Sequence, residues 1–266
     1  MIPASVSASA LAGRHVLVTR PAGQATGLCD ALAAEGATAT AIPTIRIEDP
    51  PDGSSLSKAA RELSRYDWVL LTSANGVWRL ARAAERESTL DDFRRARIGV
   101  IGPATAEEVA RWGGTPSVIP ETYQAEGLVD ALLAGETGGV AGARVLLAGA
   151  REARSVLPEA LAAAGARVDV VVAYSTVVER GGERALVDLL DRKALDWVTF
   201  TASSAVKAYV DLVGTRTAGA RVAVIGPITA ATAEELGLSV AVQAVRHTTA
   251  GLVEALIEDA CRAGGS

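Results

Sequence analysis

Arg97-Ile98-Gly99-Val100-Ile101-Gly102-Pro103-Ala104-Thr105-Ala106 is met again further along the chain as Arg221-Val222-Ala223-Val224-Ile225-Gly226-Pro227-Ile228-Thr229-Ala230. Each stretch reads as a short apolar strand, a Gly-Pro turn and the first turn of a helix. Proline costs nothing at the first helical position, because its missing N–H has no intrahelical partner there. The next free N–H groups, with the Thr105 or Thr229 hydroxyl beside them, make a pocket suited to a carboxylate or phosphate.

Working outward, the repetition extends in both directions. Asp67-Trp68-Val69-Leu70-Leu71-Thr72-Ser73-Ala74 answers to Asp196-Trp197-Val198-Thr199-Phe200-Thr201-Ala202-Ser203, and Gly13-Arg14-His15-Val16-Leu17-Val18 to Gly142-Ala143-Arg144-Val145-Leu146-Leu147. Residues 13 to 135 and 142 to 262 are therefore two copies of one pattern, with one surface loop shortened. The period is far longer than the ~20–50 residues of solenoid repeats, so each copy is expected to be domain-sized and the protein to have two lobes.

Short apolar runs alternate with Ala/Leu-rich helical stretches, which is the pattern of βαβ units on a parallel sheet. The expected order is strand 16–19, helix 26–35, extended run 39–47, helix 56–63, strand 68–72, helix 75–85, strand 98–101, helix 104–112, strand 117–120 and helix 126–133, repeated in the second copy. The fold class is α/β, with two flavodoxin-like or Rossmann-like parallel-sheet lobes arising from an internal duplication. Ala39–Glu48 and Arg167–Glu179 are longer than the other strands and poor in turn residues. Each is expected to serve one lobe and then run on as a connector to the other, which makes the lobes discontinuous in sequence.

Composition narrows the function. The 266 residues are 49% hydrophobic but only 4% aromatic, so the cores are built from Ala, Val, Leu and Ile. A net charge of −5 with no basic cluster argues against nucleic-acid binding. No apolar run approaches the ~18 residues that span a bilayer, and Met1–Ala12 reads as a loose tail, so a cytoplasmic, membrane-free protein is expected. Cys29 and Cys261 are too few for a thiolate zinc site, and His15 and His247 lack acidic or Cys neighbours at ligand spacing. No metal site and no cofactor is expected. The Gly-x-Gly-x-x-Gly, Gly-Lys-Ser/Thr and Gly-x-Ser-x-Gly motifs are all missing, which weakens dinucleotide, nucleotide and serine-hydrolase readings.

One Gly-Pro turn alone is an ordinary helix cap. Four related turns are more, because in a parallel sheet Thr72-Ser73-Ala74, Gly102 with Thr105, Thr201 with Ser203, and Gly226 with Thr229 all fall at the carboxyl edge, where open α/β folds bind ligands. Arg20 after the first strand, and Arg151 and Arg154 after its counterpart, add full charges near those edges. The expected ligand carries many negative groups. Tyr174, a lone phenol in an apolar run, reads more readily as a packed side chain with one bonded hydroxyl than as a proton donor.

Taken together, Val18-Thr19-Arg20-Pro21, Ile42-Pro43, Thr72-Ser73-Ala74-Asn75-Gly76-Val77, Ala173-Tyr174-Ser175-Thr176-Val177 and the two Gly-Pro stretches resemble uroporphyrinogen-III synthase from about Gly13 to Asp259. The resemblance implies a first lobe of residues 1–44 and 177–266, a second of 48–171, and a two-stranded linker of 45–47 and 172–176. It implies a cofactor-independent lyase of tetrapyrrole biosynthesis acting on hydroxymethylbilane, a linear tetrapyrrole with eight carboxylates, held between the lobes by backbone amides and hydroxyls at helix starts. Loss of the ring A hydroxyl gives an azafulvene, ring D attacks through its substituted position, and the spirocyclic intermediate reopens and closes with ring D inverted. Tyr174 matches the family's tyrosine proposed to help that hydroxyl leave. A monomer is expected, with hydroxymethylbilane synthase, the source of the unstable substrate, as candidate transient partner. The rival readings are a noncatalytic two-lobed sensor or carrier of an anionic small molecule, and a nucleotide or nucleotide-sugar transferase.

Overall fold

The structure, a computed structural model, describes residues 9–50, 53–134 and 139–264. Along the chain run β1 (His15–Val18), α1 (Ala22–Ala34), β2 (Thr38–Ala41), β3 (Ile45–Glu48), α2 (Ser54–Arg61), β4 (Trp68–Leu71), α3 (Ala74–Arg86), α4 (Leu90–Arg95), β5 (Ile98–Val100) and α5 (Pro103–Arg111). There follow β6 (Pro116–Val118), α6 (Ala125–Leu133), β7 (Arg144–Ala150), α7 (Val156–Ala163), β8 (Arg167–Val178), α8 (Glu183–Asp191), β9 (Trp197–Phe200), α9 (Ser203–Val213), β10 (Arg221–Val224), α10 (Pro227–Glu235), β11 (Val240–Gln243) and α11 (Thr249–Gly264).

The chain divides into two compact units, Met1–Ile47 with Val177–Ser266, and Glu48–Thr176. The first holds a sheet ordered β11-β10-β9-β1-β2, all parallel. The sheet of the second is ordered β3-β8-β7-β4-β5-β6, with β8 to β6 all parallel. The chain crosses from one unit to the other inside β3 and inside β8, which are neighbours in that sheet. The protein is an α/β fold with two parallel-sheet units.

Setting β1 beside β7, β2 beside β8, β9 beside β4, β10 beside β5 and β11 beside β6 makes the two spatial orders identical, β3 being an added edge strand of the second sheet. These are the partners that the repeated sequence stretches pair. Neither sequence copy forms a unit by itself, however. Residues 13–135 supply β1 and β2 to the first unit and β4 to β6 to the second, and the later copy does the reverse.

Three local expectations are corrected. Residues 39–47 are not one extended run, since β2 ends at Ala41 and β3 begins at Ile45 in the other sheet. The buried Thr44 holds the break, its hydroxyl donating to the Thr19 carbonyl at 3.4 Å and the Ala205 carbonyl at 3.2 Å. A short helix, α4, stands where none was expected; its acidic first turn (Asp91, Asp92) and basic last turn (Arg94, Arg95) suit the helix dipole. Of the stretch read as a loose tail, residues 1–8 lie outside the described residues, but Leu11 is fully buried and its N–H donates to the Glu35 carbonyl at 2.8 Å.

Both cores are aliphatic, as the composition demands. In the first unit, Val16, Leu28, Leu32, Leu252 and Leu256 lie on one side of the sheet, packed from α1 and α11. Leu17, Val198, Phe200, Val206 and Tyr209 lie in the cluster packed from α9, where Phe200 and Tyr209 meet edge to face at 5.2 Å. Val16 and Leu17 entering different clusters is the two-residue period of a sheet covered on both faces.

One buried carboxylate ties helix to sheet. Asp259 of α11 accepts from Trp197 Nε1 at 2.9 Å and from Arg221 at 2.6 Å. Asp259→Ala should cost about 2 kcal/mol, because it leaves the buried indole N–H without an acceptor. The urea midpoint should fall accordingly, whereas Glu258→Ala, which removes only an exposed ion pair with Arg262, should move it by less than about 0.5 kcal/mol.

Candidate active site

In the second unit β4 ends at Leu71, and Thr72 and Ser73 turn the chain into α3. Ser73 caps that helix by accepting the Gly76 N–H at 3.1 Å, which satisfies one of the donors that a helix start leaves free. Gly76 has no room for a side chain, since a Cβ there would stand 2.9 Å from the Ala148 carbonyl. The cap is thus fixed against β7. The same Ser73 hydroxyl lies 2.9 Å from the hydroxyl of Tyr174.

Tyr174 reaches it because β8 is irregular there. Gly149 faces Val172 and Ala150 faces Tyr174, so one extra residue, Ala173, is accommodated between these pairs. Such a bulge interrupts the alternation of faces and re-aims a side chain. Ala173, Tyr174 and Ser175 are consequently all buried, where a regular strand would alternate.

The ring of Tyr174 lies under a cation. Arg79, one turn on from the start of α3 and with only 11% of its side chain exposed, holds its guanidinium carbon 5.5 Å from the Tyr174 ring centre and 5.4 Å from that of Trp78. Asp49 accepts from Arg79 Nε at 3.0 Å. Burial raises the pKa of the Tyr174 phenol above its ordinary value, while the Ser73 hydrogen bond and the Arg79 charge act the other way. At ordinary pH the site therefore contains a protonated phenol.

The remaining expected residues of this unit are placed as follows. Gly102 caps α5, and the buried Thr105 follows in its first turn. The ring of Tyr123 packs on Gly102, where a Cβ would stand 3.4 Å from Cγ. Arg151 donates from its amide to the Tyr174 carbonyl at 2.8 Å and from Nε to the Ser175 hydroxyl at 3.0 Å. Arg154 is exposed and held by Glu126 at 3.0 Å.

In the first unit Arg20 leaves the end of β1 partly buried. One nitrogen donates to Thr249 at 3.1 Å, Nε is buried without a partner, and desolvation lowers the guanidinium pKa. A cation so placed, with no carboxylate beside it among the described residues, is suited to an incoming anion. Gly226 caps α10, with Thr229 buried behind it, and the ring of His247 packs on Gly226 with Cδ2 3.0 Å from where a Cβ would stand. Thr201 is half-buried at the end of β9. Ser203 turns its hydroxyl to the α10 backbone, donating to the Ile228 carbonyl at 3.3 Å and accepting from Thr232 at 2.8 Å. Ala202 stands as the α9 cap where the other unit has Ser73, and it offers no side-chain hydrogen bond.

Sequence reasoning missed Arg79, Asp49 and Trp78, and it took His247 as structural or incidental without naming a contact. For His247 a signal existed. Tyr123 precedes Gly127-Leu128-Val129 at the spacing with which His247 precedes Gly251-Leu252-Val253, so the two rings on the two Gly-Pro turns continue the repeat that pairs Gly102 with Gly226. Among the described residues no group of three or more His, Cys, Asp or Glu could hold a metal, and no helix is long and apolar enough to cross a membrane.

Residues 27–254 match the family model described as uroporphyrinogen-III synthase HemD. A uroporphyrinogen-III synthase of Synechococcus elongatus is 33% identical over 258 residues, which covers 92% of this chain and 95% of that protein. Among solved structures, a mutant uroporphyrinogen III synthase of Thermus thermophilus superposes with a TM-score of 0.65 at 18% identity, covering 94% of this chain and 99% of its own. The uroporphyrinogen-III synthetase of Helicobacter pylori 26695 gives 0.61 at 17% identity, covering 92% and 99%. The structural likenesses speak for the fold, and the sequence matches for the lineage. The chain belongs to the uroporphyrinogen-III synthase family.

Proposed function

We propose that this protein cyclises hydroxymethylbilane to uroporphyrinogen III, inverting ring D and releasing water, with Tyr174 as the acid that assists departure of the ring A hydroxyl. The observation that carries this reading is the buried phenol bonded at 2.9 Å to the helix-cap hydroxyl of Ser73. Burial keeps the proton on Tyr174 at neutral pH, and the bond to Ser73 fixes the position of its oxygen.

The step balances simply. The Tyr174 proton moves to the hydroxymethyl oxygen, and the C–O bond breaks with its electron pair going to oxygen. Water leaves, and the pyrrole nitrogen of ring A carries the resulting cation. Ring D attacks through its substituted carbon, and the proton released as the rings regain aromaticity can return to the phenolate.

Carboxylates of the substrate are taken by the first-turn amides after Gly102 and Gly226, by the turns at Thr72-Ser73-Ala74 and Thr201 to Ser203, and by Arg20. What supports Arg20 is its buried Nε without a partner. What supports the Gly-Pro turns is their helix starts, where free N–H groups and the dipole favour an anion. Arg151 and Arg154 contribute less, because Ser175 and Glu126 already occupy them. The bilane can also close without inversion unaided, so the enzyme's contribution lies mostly in holding the chain so that only the inverting path is geometrically open.

Chromatographic separation of the product isomers tests the reading. Purified protein given hydroxymethylbilane should yield the inverted isomer III. If only the symmetric isomer I forms, at the rate seen without protein, the chain is a binding protein and the proposal fails.

A further inference from the structure

We propose that Arg79 is a positioning residue for Tyr174: clamped by Asp49 and lying over the phenol ring, its guanidinium fixes the ring beside Ser73 and supplies the countercharge when the phenol has given up its proton. This rests on the reading of Tyr174 as the acid.

Three features separate Arg79 from an ordinary surface arginine. Its side chain is 11% exposed, whereas its partner Asp49 is 79% exposed, so the cation is the buried member of the pair. It lies over two aromatic rings, Trp78 at 5.4 Å and Tyr174 at 5.5 Å, contacts that suit a planar guanidinium better than an ammonium. It also borders a cavity of about 210 Å³ that Ala173, the residue before Tyr174, helps to line. Both contacts to Tyr174 come from the start of α3, Ser73 from the cap to the phenol oxygen and Arg79 from the second turn to the ring.

The charged surroundings of Tyr174 make Arg79 the main cationic influence. Glu152, after β7, opposes ionisation, while Arg151 sends its own guanidinium to Ser175. Asp49 holds the Arg79 cation and partly offsets its charge. Phenolate left by proton transfer would thus meet Arg79 over its ring, Ser73 at its oxygen and Glu152 as the nearest like charge.

The test uses the full chain and the variants Arg79→Gln, Arg79→Lys, Asp49→Asn and Tyr174→Phe. Ultraviolet difference titration of phenolate, with the Tyr174→Phe curve subtracted, isolates this tyrosine from Tyr66, Tyr123 and Tyr209. In Arg79→Gln the Tyr174 titration should move up by about one pH unit, because a cation ~5 Å away favours the charged phenolate. At neutral pH kcat on hydroxymethylbilane should fall about tenfold with KM within about twofold, and Arg79→Lys should recover part of the loss. Asp49→Asn keeps the Arg79 charge but removes the clamp and the carboxylate that partly offsets that charge, so its titration should not rise as it does in Arg79→Gln. It reads the proposal even if Arg79→Gln does not fold, because a titration no higher than wild type with kcat reduced severalfold is expected of a positioning clamp. An unmoved titration in Arg79→Gln, or kcat unchanged in both Arg79→Gln and Asp49→Asn, overturns the proposal. Full activity in Tyr174→Phe overturns the acid role instead, and the titration then still decides whether the two side chains are coupled.

Discussion

Tyr174→Phe should lower kcat on hydroxymethylbilane by about a hundredfold or more while leaving KM within a few-fold, the loss expected when a positioned general acid is removed. The substitution deletes one oxygen from a buried ring and keeps the ring's packing under Arg79. Any effect therefore reads the hydroxyl. The hydroxyl's neighbour in the structure is Ser73, which keeps its bond from the Gly76 amide after the change, so the cap of α3 should survive and the circular dichroism spectrum should not alter. Ser73→Ala is the complementary experiment. It removes both the cap and the phenol's partner, so it should cost about 1 kcal/mol of stability in addition to activity. Stopped incubations with quantified isomers check both variants, because spontaneous closure to isomer I competes with a slowed enzyme. Retention of wild-type kcat by Tyr174→Phe would remove Tyr174 from the mechanism.

The second large effect concerns stability. Gly251→Ala and Gly127→Ala should each destabilise the unit that contains them by about 3 kcal/mol, at the upper end of what overpacking does. A Cβ on Gly251 would stand 2.1 Å from the Arg246 carbonyl oxygen, and one on Gly127 2.3 Å from the Thr122 carbonyl oxygen. Both obstacles are backbone, so no rotamer change relieves them. Relief requires the first turn of α11 or α6 to move away from the turn that precedes it. Leu252 and Leu256 of α11, and Leu128 and Leu132 of α6, are fully buried, so such a movement opens a core. Gly27→Ala is the control with the opposite sign. Gly27 lies within α1 with nothing near its Cβ position, and alanine there should stabilise by about 0.5–1 kcal/mol through lost unfolded-state freedom. Scanning calorimetry separates these outcomes. The first pair should lower the transition of the unit concerned, and equal melting of Gly251→Ala and wild type would show that the chain accommodates the methyl group.

Much of this architecture was legible from residue order. The strands that became β1, β4, β5, β9 and β10 announce themselves as apolar runs soon followed by Gly, Pro, Ser or Thr, because a buried parallel strand must be apolar on both faces and its helix must start with a cap. The candidate ligand turns were legible for the same reason. Ser73, Gly102 and Gly226 are cap positions, so local chemistry reveals them. Residues acting through long-range contacts were not legible. Arg79 looks like any helix arginine until β8 brings Tyr174 beneath it, and Arg154 looks like a free cation until Glu126 of α6 reaches it. Ser203 likewise reads as a free hydroxyl at a helix start, but α10 takes it up.

By itself, the amino-acid sequence determined the element types, the repetition and the edge of each sheet that carries capped, anion-suited turns, since periodicity and capping are properties of neighbours along the chain. The two long extended runs already pointed to lobes discontinuous in sequence, and the tertiary structure decided the strand order by which each unit takes strands from both copies. It also decided that an extra residue in β8 turns Tyr174 toward Ser73. The reason is one of range: a cap is made within four residues, whereas the Tyr174 hydroxyl meets a partner 101 residues away, and only the register between strands sets that meeting.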